Sequence, residues 1–225
     1  MTEKQVISKK RVAEHGEVLT GKREVNAMLD LVKQETERID SRFLEPACGT
    51  GNFLVAILER KLAVVEKRYG RSQLEFERYA VIAISSLYGI DILPDNVSQC
   101  RERLFDVFDE IYTGLFKKKT KAKCREAIWF ILTQNIICGN ALTLKTTGDN
   151  PQPIAFAHWS LINGKFKRMD YAFHDLSHPE PEESQGLFSK QRGVVDRDIG
   201  DKGFIPEPIK TDYRPVPYWE LPHAK

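Results

Sequence analysis

Residues 43–53, Phe-Leu-Glu-Pro-Ala-Cys-Gly-Thr-Gly-Asn-Phe, constrain this chain more than any other stretch. Arg42-Phe43-Leu44 is a short apolar run entering Glu45-Pro46, which reads as a buried strand reaching a loop. Gly49 and Gly51 let the backbone turn sharply and approach a ligand closely. Residues 52–69 then form a strongly apolar helix, whose start offers free N–H groups and a positive dipole end. Strand, glycine loop and helix in this order specify a ligand-binding turn at the carboxyl end of a strand. Leu54 stands where a dinucleotide fingerprint carries its third glycine, and no Gly-Lys-Ser/Thr follows. Both dinucleotide and nucleoside triphosphate loops are therefore poor matches.

The surrounding pattern predicts the fold. Val25, Met28, Leu29 and Val32 share one helical face. Residues 72–86 give a further helix, and residues 87–92 a second strand ending on Asp91. Pro94 opens a long helix, where a missing N–H costs nothing. Residues 121–132 are helical, with Trp129 and Phe130 expected in the core, and residues 134–139 form a third strand. Alternating strands and helices predict a doubly wound, mainly parallel α/β sheet, whose ligands sit at the carboxyl ends of the strands. Residues 154–162 and 165–173 flank Asn163-Gly164, a strong hairpin signal.

Composition then limits the classes open to the chain. Of its 225 residues 41% are hydrophobic and 29% charged, with a formal net charge of +2, so a nucleic-acid partner is neither demanded nor excluded. No apolar run reaches the ~20 residues of a membrane-spanning helix. The N-terminal residues lack a secretory signal, and cytoplasmic residence is expected. Cys48, Cys100, Cys124 and Cys138 form no Cys-x-x-Cys pair, and the five histidines complete no zinc pattern, so reduced thiols and no metal are expected. Nine of the 11 prolines lie beyond residue 150. This asymmetry divides the chain into a Pro-poor body and a Pro-rich remainder. With the element pattern, the expected organisation is an N-terminal helical segment (1–40), a ligand-binding core (41–150), a β-hairpin (151–176) and a Pro-rich, extended or partly disordered tail (177–225).

Glu45, Pro46, Cys48, Gly49, Gly51 and Phe53 match throughout the pattern Asp/Glu-Pro-x-Cys-Gly-x-Gly-x-Phe. The stretch resembles motif I of S-adenosylmethionine-dependent DNA methyltransferases that modify exocyclic amino groups, the adenine-N6 enzymes of restriction–modification systems. Type I and type IIG-like modification subunits belong to this group. The resemblance covers residues 12–143 and implies a Rossmann-like methyltransferase fold. Residues 88–97 resemble motif II, and imply that Asp91 accepts hydrogen bonds from the cofactor ribose, with Ile92 beside it. Residues 136–142 resemble motif III, usually Gly-Asp-Ala; here Asn140 precedes Ala141, and an amide oxygen replaces the acid that binds the adenine amino group. Residues 15–22 resemble the segment ahead of motif I, with Thr20 at the cofactor's methionine end or as the N-cap of the next helix. The implied cofactor site is Thr20, Glu45, Pro46, Ala47, Cys48, Gly49, Gly51, Asn52, Phe53, Asp91, Ile92, Asn140 and Ala141, and the implied cofactor is S-adenosylmethionine.

The family's catalytic motif, Asp/Asn-Pro-Pro-Tyr/Phe after a fourth strand, has no counterpart. Asp149-Asn150-Pro151-Gln152-Pro153 has one proline where two should adjoin and no following aromatic. Asn150 and Pro151 remain weak catalytic candidates in what reads as a polar turn. The chain is expected to need a second protein subunit for catalysis and target recognition, or to be a catalytically silent cofactor-binding module that docks a partner. An RNA or protein methyltransferase is a third possibility. The lysine-rich residues 117–123 could touch DNA phosphates or form a solvated loop. Trp159, Tyr213, Tyr218 and Trp219 could anchor a partner or pack the tail on its own body.

Overall fold

A computed structural model describes residues 11–13, 20–177, 193–196 and 203–224. It is an α/β structure built on a small mixed sheet. Helix α1 (Lys22–Asp30) buries Val25 and Leu29 and is followed by the single turn α2 (Lys33–Thr36). Strand β1 (Phe43–Glu45) runs through the glycine loop into α3 (Asn52–Tyr69). Helix α3 buries Leu54, Leu58, Lys61, Leu62 and Val65, the spacing of one continuous helical stripe. Helix α4 (Gln73–Ser85) leads to β2 (Leu87–Asp91). Then α5 (Pro94–Phe116), a 3-10 turn at Lys117–Lys119 and α6 (Ala122–Asn135) lead to β3 (Ile136–Asn140) and the short β4 (Lys145–Thr146).

Strand order is β1-β2-β3-β4. The first three strands are parallel, with Glu45 opposite Gly89 and Asp91 opposite Cys138, and β4 is antiparallel to β3. All three parallel strands therefore end on the same side. The order never turns back among the described residues, so they hold one winding of the sheet and not the second that a doubly wound topology requires. Among the described residues strand β1 is the sheet edge. The Phe43 N–H donates to the Ser86 carbonyl (3.0 Å). By the alternation of a parallel ladder, the Leu44 amide and carbonyl point away from β2.

The two sheet faces are covered differently. Leu87 and Ile136 join the core cluster formed by α3 to α6, while Tyr88 and Ile90 pack with Ile154, Phe156 and Phe173. Gly89 brings α3 close, since a Cβ there would lie 2.9 Å from Leu54 Cδ1. The second face is covered by an antiparallel hairpin, β5 (Ala155–Ile162) with β6 (Lys165–Ala172). Asn163 and Gly164 both take positive φ at its turn (49° and 76°), the requirement of a tight hairpin turn. A short helix α7 (Phe173–Ser177) closes the hairpin. Strands β7 (Gly193–Asp196) and β8 (Gly203–Pro206) pair with each other.

Residues 207–224 return along β6. Val216 and Phe166 exchange backbone hydrogen bonds (2.7 and 3.0 Å), and Asp170 does the same with Ile209 and Lys210. The chain ends in a 3-10 turn, Tyr218–His223, packed on α6, with Val216, Tyr218 and Leu221 buried. Tyr218 reaches the fully buried Glu77, which also accepts from Tyr112, Gln73 and Lys121. Burial pushes the Glu77 carboxyl up, but the bonds from Lys121, Tyr112, Tyr218 and Gln73 outweigh it and hold it below the usual carboxylate value.

Two local expectations need correction. Trp129 is 40% exposed, resting edge-on against Phe105, because α6 turns Ile128, Ile131 and Leu132 inward instead. Thr20 does not cap α1; the N-cap is Gly21, with no side-chain bond. At the entrance of α5, Asp95 pairs with Arg11 (2.5 Å), and Asp91 takes the Leu93 N–H (2.9 Å).

Candidate cofactor cleft

The carboxyl ends of β1, β2 and β3 open into one cleft of about 580 Å³. That lies within the range of roughly 300–1,000 Å³ typical of small-molecule sites. Its lining comes from four separate stretches: Thr20; Glu45 to Gly49 with Asn52 and Phe53; Asp91 to Leu93 with Asn96; and Gly139 to Leu142. Of the thirteen residues singled out from sequence, twelve line this cleft. Gly51 does not, and its role is to shape the loop.

Two backbone features form the loop. Gly49 and Gly51 both have positive φ (52° and 89°), a region in which side chains with a Cβ are strained. The Cys48 N–H donates to the Ile90 carbonyl (2.8 Å) and the Gly51 N–H to the Cys48 carbonyl (2.8 Å), tying the loop to β2 and to itself. A Cβ on Gly51 would sit 2.6 Å from Cys100 Sγ. Cys48 lies beneath the loop, and its thiol is pushed far up by its hydrogen bond with Cys100, by burial and by the charges of Asp91 and Glu45. It is a protonated packing residue rather than a nucleophile.

Asp91 organises the middle of the cleft. Its Oδ2 accepts the Gly49 N–H (2.8 Å), while its Oδ1 accepts the Leu93 N–H (2.9 Å) and Asn96 Nδ2 (3.2 Å). A carboxylate has about four acceptor positions, so one remains on Oδ2. Among the described residues Glu45 takes only the Ala47 N–H, at 3.3 Å, and burial raises its carboxyl above the usual value despite that bond. Two hydroxyl donors entering here therefore find acceptors on both acids.

Asn140 behaves differently from the acid it replaces. Its Oδ1 already accepts the N–H groups of Leu142 (2.9 Å) and Thr143 (3.2 Å). Both lone pairs are used, and the side chain offers the cleft its NH₂ donors instead. The oxygen expected to receive an amino group is thus already occupied by two backbone donors.

Asn150 and Pro151 are exposed and do not line the cleft. The turn is closed locally, by the Thr146 N–H to the Gln152 carbonyl (2.8 Å) and the Gln152 N–H to Thr146 Oγ1 (2.9 Å). In the lysine run, Lys121 is committed to Glu77 at 2.8 Å, while Lys117, Lys118 and Lys119 are exposed.

The profile of the MmeI DNA-methyltransferase domain matches residues 20–152. The chain belongs to that family. It is thus a member of a restriction–modification DNA methyltransferase family, and membership implies S-adenosylmethionine as cofactor. No curated protein and no solved structure matches the chain. The matched segment contains β1 to β4 and every residue lining the cleft. Among the described residues no helix is long and apolar enough to cross a membrane.

Sequence reasoning missed Leu93, Asn96, Gly139 and Leu142, which line the cleft, and Arg103, which stands behind it. Asn96 and Leu142 had a signal in their position, one turn or one step beyond a singled-out residue. Arg103 had none.

Proposed function

We propose that the chain is the cofactor-binding component of a DNA adenine-N6 methyltransferase and that a second polypeptide completes its active site and reads the target DNA. The observation that carries this is the cleft itself, where four distant stretches of the family-matched segment converge at the strand ends. S-adenosylmethionine would supply an electrophilic methyl group for direct in-line transfer to an amino nitrogen. Asp91 and Glu45 would accept the ribose hydroxyls, charge-assisted bonds that suit an acid at each place. The Gly49 and Gly51 turn lets the backbone approach the ligand, and Thr20 with Asn52 borders its amino-acid end. Asn140 would donate to a ring nitrogen of the adenine.

The need for a second chain is supported by two features. Asn150 and Pro151 are not part of the cleft's lining, and the turn lacks the adjoining prolines and the aromatic of the family's catalytic motif. The outward backbone groups of β1 find no partner strand among the described residues, at the edge adjoining Glu45. A partner strand there would restore the second half of the sheet and bring its own catalytic loop to the cleft. The same turn geometry also favours a second reading, a catalytically silent module that binds the cofactor and docks a partner.

Calorimetry with S-adenosylmethionine tests the cofactor site; no binding at millimolar ligand would overturn the proposal. Methyl transfer to unmodified DNA, by the chain alone and with the product of the neighbouring reading frame, then separates the two readings. Activity only in the mixture is the expected result. No activity in either would favour the silent module, and activity of the chain alone that is lost in Asn150→Ala would show that the Asn150 turn works after all.

A further inference from the structure

Arg103 lies on α5, half-buried, and does not line the cleft. One nitrogen, Nη1, donates to the Thr50 carbonyl (2.7 Å), to Thr50 Oγ1 (3.1 Å) and to Asn52 Oδ1 (2.8 Å). Asn52 Nδ2 in turn donates to the Thr20 carbonyl (2.8 Å). A single guanidinium thus connects α5, the glycine loop, the first residue of α3 and the segment ahead of α1. All four of those elements carry cleft residues, α5 through Asn96 near its start.

The placement is electrostatically costly for the helix. The first turn of α3 carries no acid, and a cation beside a helix N-terminus opposes the macrodipole. Among the described residues Arg103 makes no ion pair, since all its hydrogen bonds go to neutral oxygens. Neither helix stability nor salt bridging accounts for it. What it does is geometric. It fixes the Thr50 carbonyl, which precedes the positive-φ Gly51, and it fixes which way the Asn52 amide points. With Oδ1 held by Arg103, Nδ2 must face the Thr20 side, closing the cleft between Thr20 and the loop.

We infer that Arg103 is a positioning residue for the cofactor cleft: it holds the glycine loop and, through Asn52, the Thr20 segment in the arrangement that receives the ligand. The inference rests on the proposed cofactor site, but its test has a readout independent of any ligand. Removing Arg103 frees the Asn52 amide to rotate and the Thr50 peptide to tilt. Cofactor affinity then falls although no group that touches the cofactor has been removed.

The test uses Arg103→Met, Arg103→Lys, Asn52→Ala and the double variant Arg103→Met/Asn52→Ala. Amide hydrogen exchange is followed across residues 20–26 and 47–55 in the free protein, and S-adenosylhomocysteine affinity by calorimetry. Arg103→Met should accelerate exchange at both segments and weaken binding at least tenfold, with α6 and β3 unaffected. Arg103→Lys, which keeps the charge and can reach one acceptor, should recover part of both effects. The double variant should bind no more weakly than Asn52→Ala, because the two act through one path. Exchange unchanged at both segments, binding within twofold of the wild type, or fully additive losses would overturn the inference. If Arg103→Met fails to fold, Arg103→Lys decides by the same two readouts, with intermediate losses expected. Failure of the wild type to bind S-adenosylhomocysteine would overturn the cofactor site, while the exchange comparison still judges the clamp.

Discussion

At the residue scale, the loop depends on positions where one atom decides the geometry. Gly51 combines φ of 89° with a Cβ position 2.6 Å from Cys100 Sγ. Gly51→Ala should therefore lose about 2 kcal/mol or more of stability, read as a lower urea midpoint, and should abolish cofactor binding measured by calorimetry. Lys61 makes a different demand. It is fully buried, with its ammonium on the Ile39 carbonyl (3.2 Å), the Ser41 carbonyl and Ser86 Oγ. Burial lowers it to about 7, against the opposing pull of Asp40 and Glu35. Between that value and the ~10.4 of an unfolded lysine, the unfolded chain binds the extra proton. Stability from this group should rise with pH across that window. Denaturant melts at pH 7 and 9.5 should show the rise in the wild type and a smaller one in Lys61→Met. The glycines were legible in the sequence because a turn between strand and helix is a local requirement. Lys61 was not, since a lysine inside an apolar helical stripe reads as solvent-facing until its acceptors are known. Asn140 shows the same limit: the residue type was legible, but which of its two ends is free depends on backbone amides two and three residues away.

At the element scale, the strands and helices of the sheet are legible because each carries its own periodicity and its own punctuation, Pro94 before α5 and Asn163-Gly164 within the hairpin. Residues 207–224 carry neither. Their order comes from isolated anchors, Val216, Tyr218 and Leu221, spaced by prolines and polar residues that no 2- or 3.6-residue period describes. The Tyr218 hydroxyl donates to Glu77, more than a hundred residues away, a contact invisible to any local pattern. Tyr218→Phe keeps the buried ring and removes that bond to a carboxylate, together with the long contact from Lys121 Nζ (3.4 Å). It should lower stability by about 1.5–3 kcal/mol and speed amide exchange over residues 215–224, with exchange in β2 and β3 following only the global change. A melt within 0.5 kcal/mol of the wild type would show that Gln73, Tyr112 and Lys121 alone satisfy the acid. The exposed face of Trp129 is an element-scale lesson too. Helix α6 is apolar on more than one side, so its sequence could not say which side meets the core.

For the molecule as a whole, the order of its strands matters more than their number. The sheet begins at β1, and β1 carries Glu45 into the cleft at its end while its outer backbone groups face away from β2. The proposed cofactor site and the edge left open among the described residues are thus parts of one three-residue strand. If a second chain pairs with that edge, it fixes the acid proposed to meet the cofactor, and the two binding events share a free energy. Reciprocity then requires that the partner tighten cofactor binding by the same factor by which the cofactor tightens partner binding, typically some 5–150-fold. Measured for the product of the neighbouring reading frame, the two factors should agree, and a partner that leaves cofactor affinity unchanged would place its contact elsewhere on the molecule. In such an arrangement neither chain alone would set the rate of methylation: cofactor supply and subunit supply would act as a single logical gate, open only when both are present.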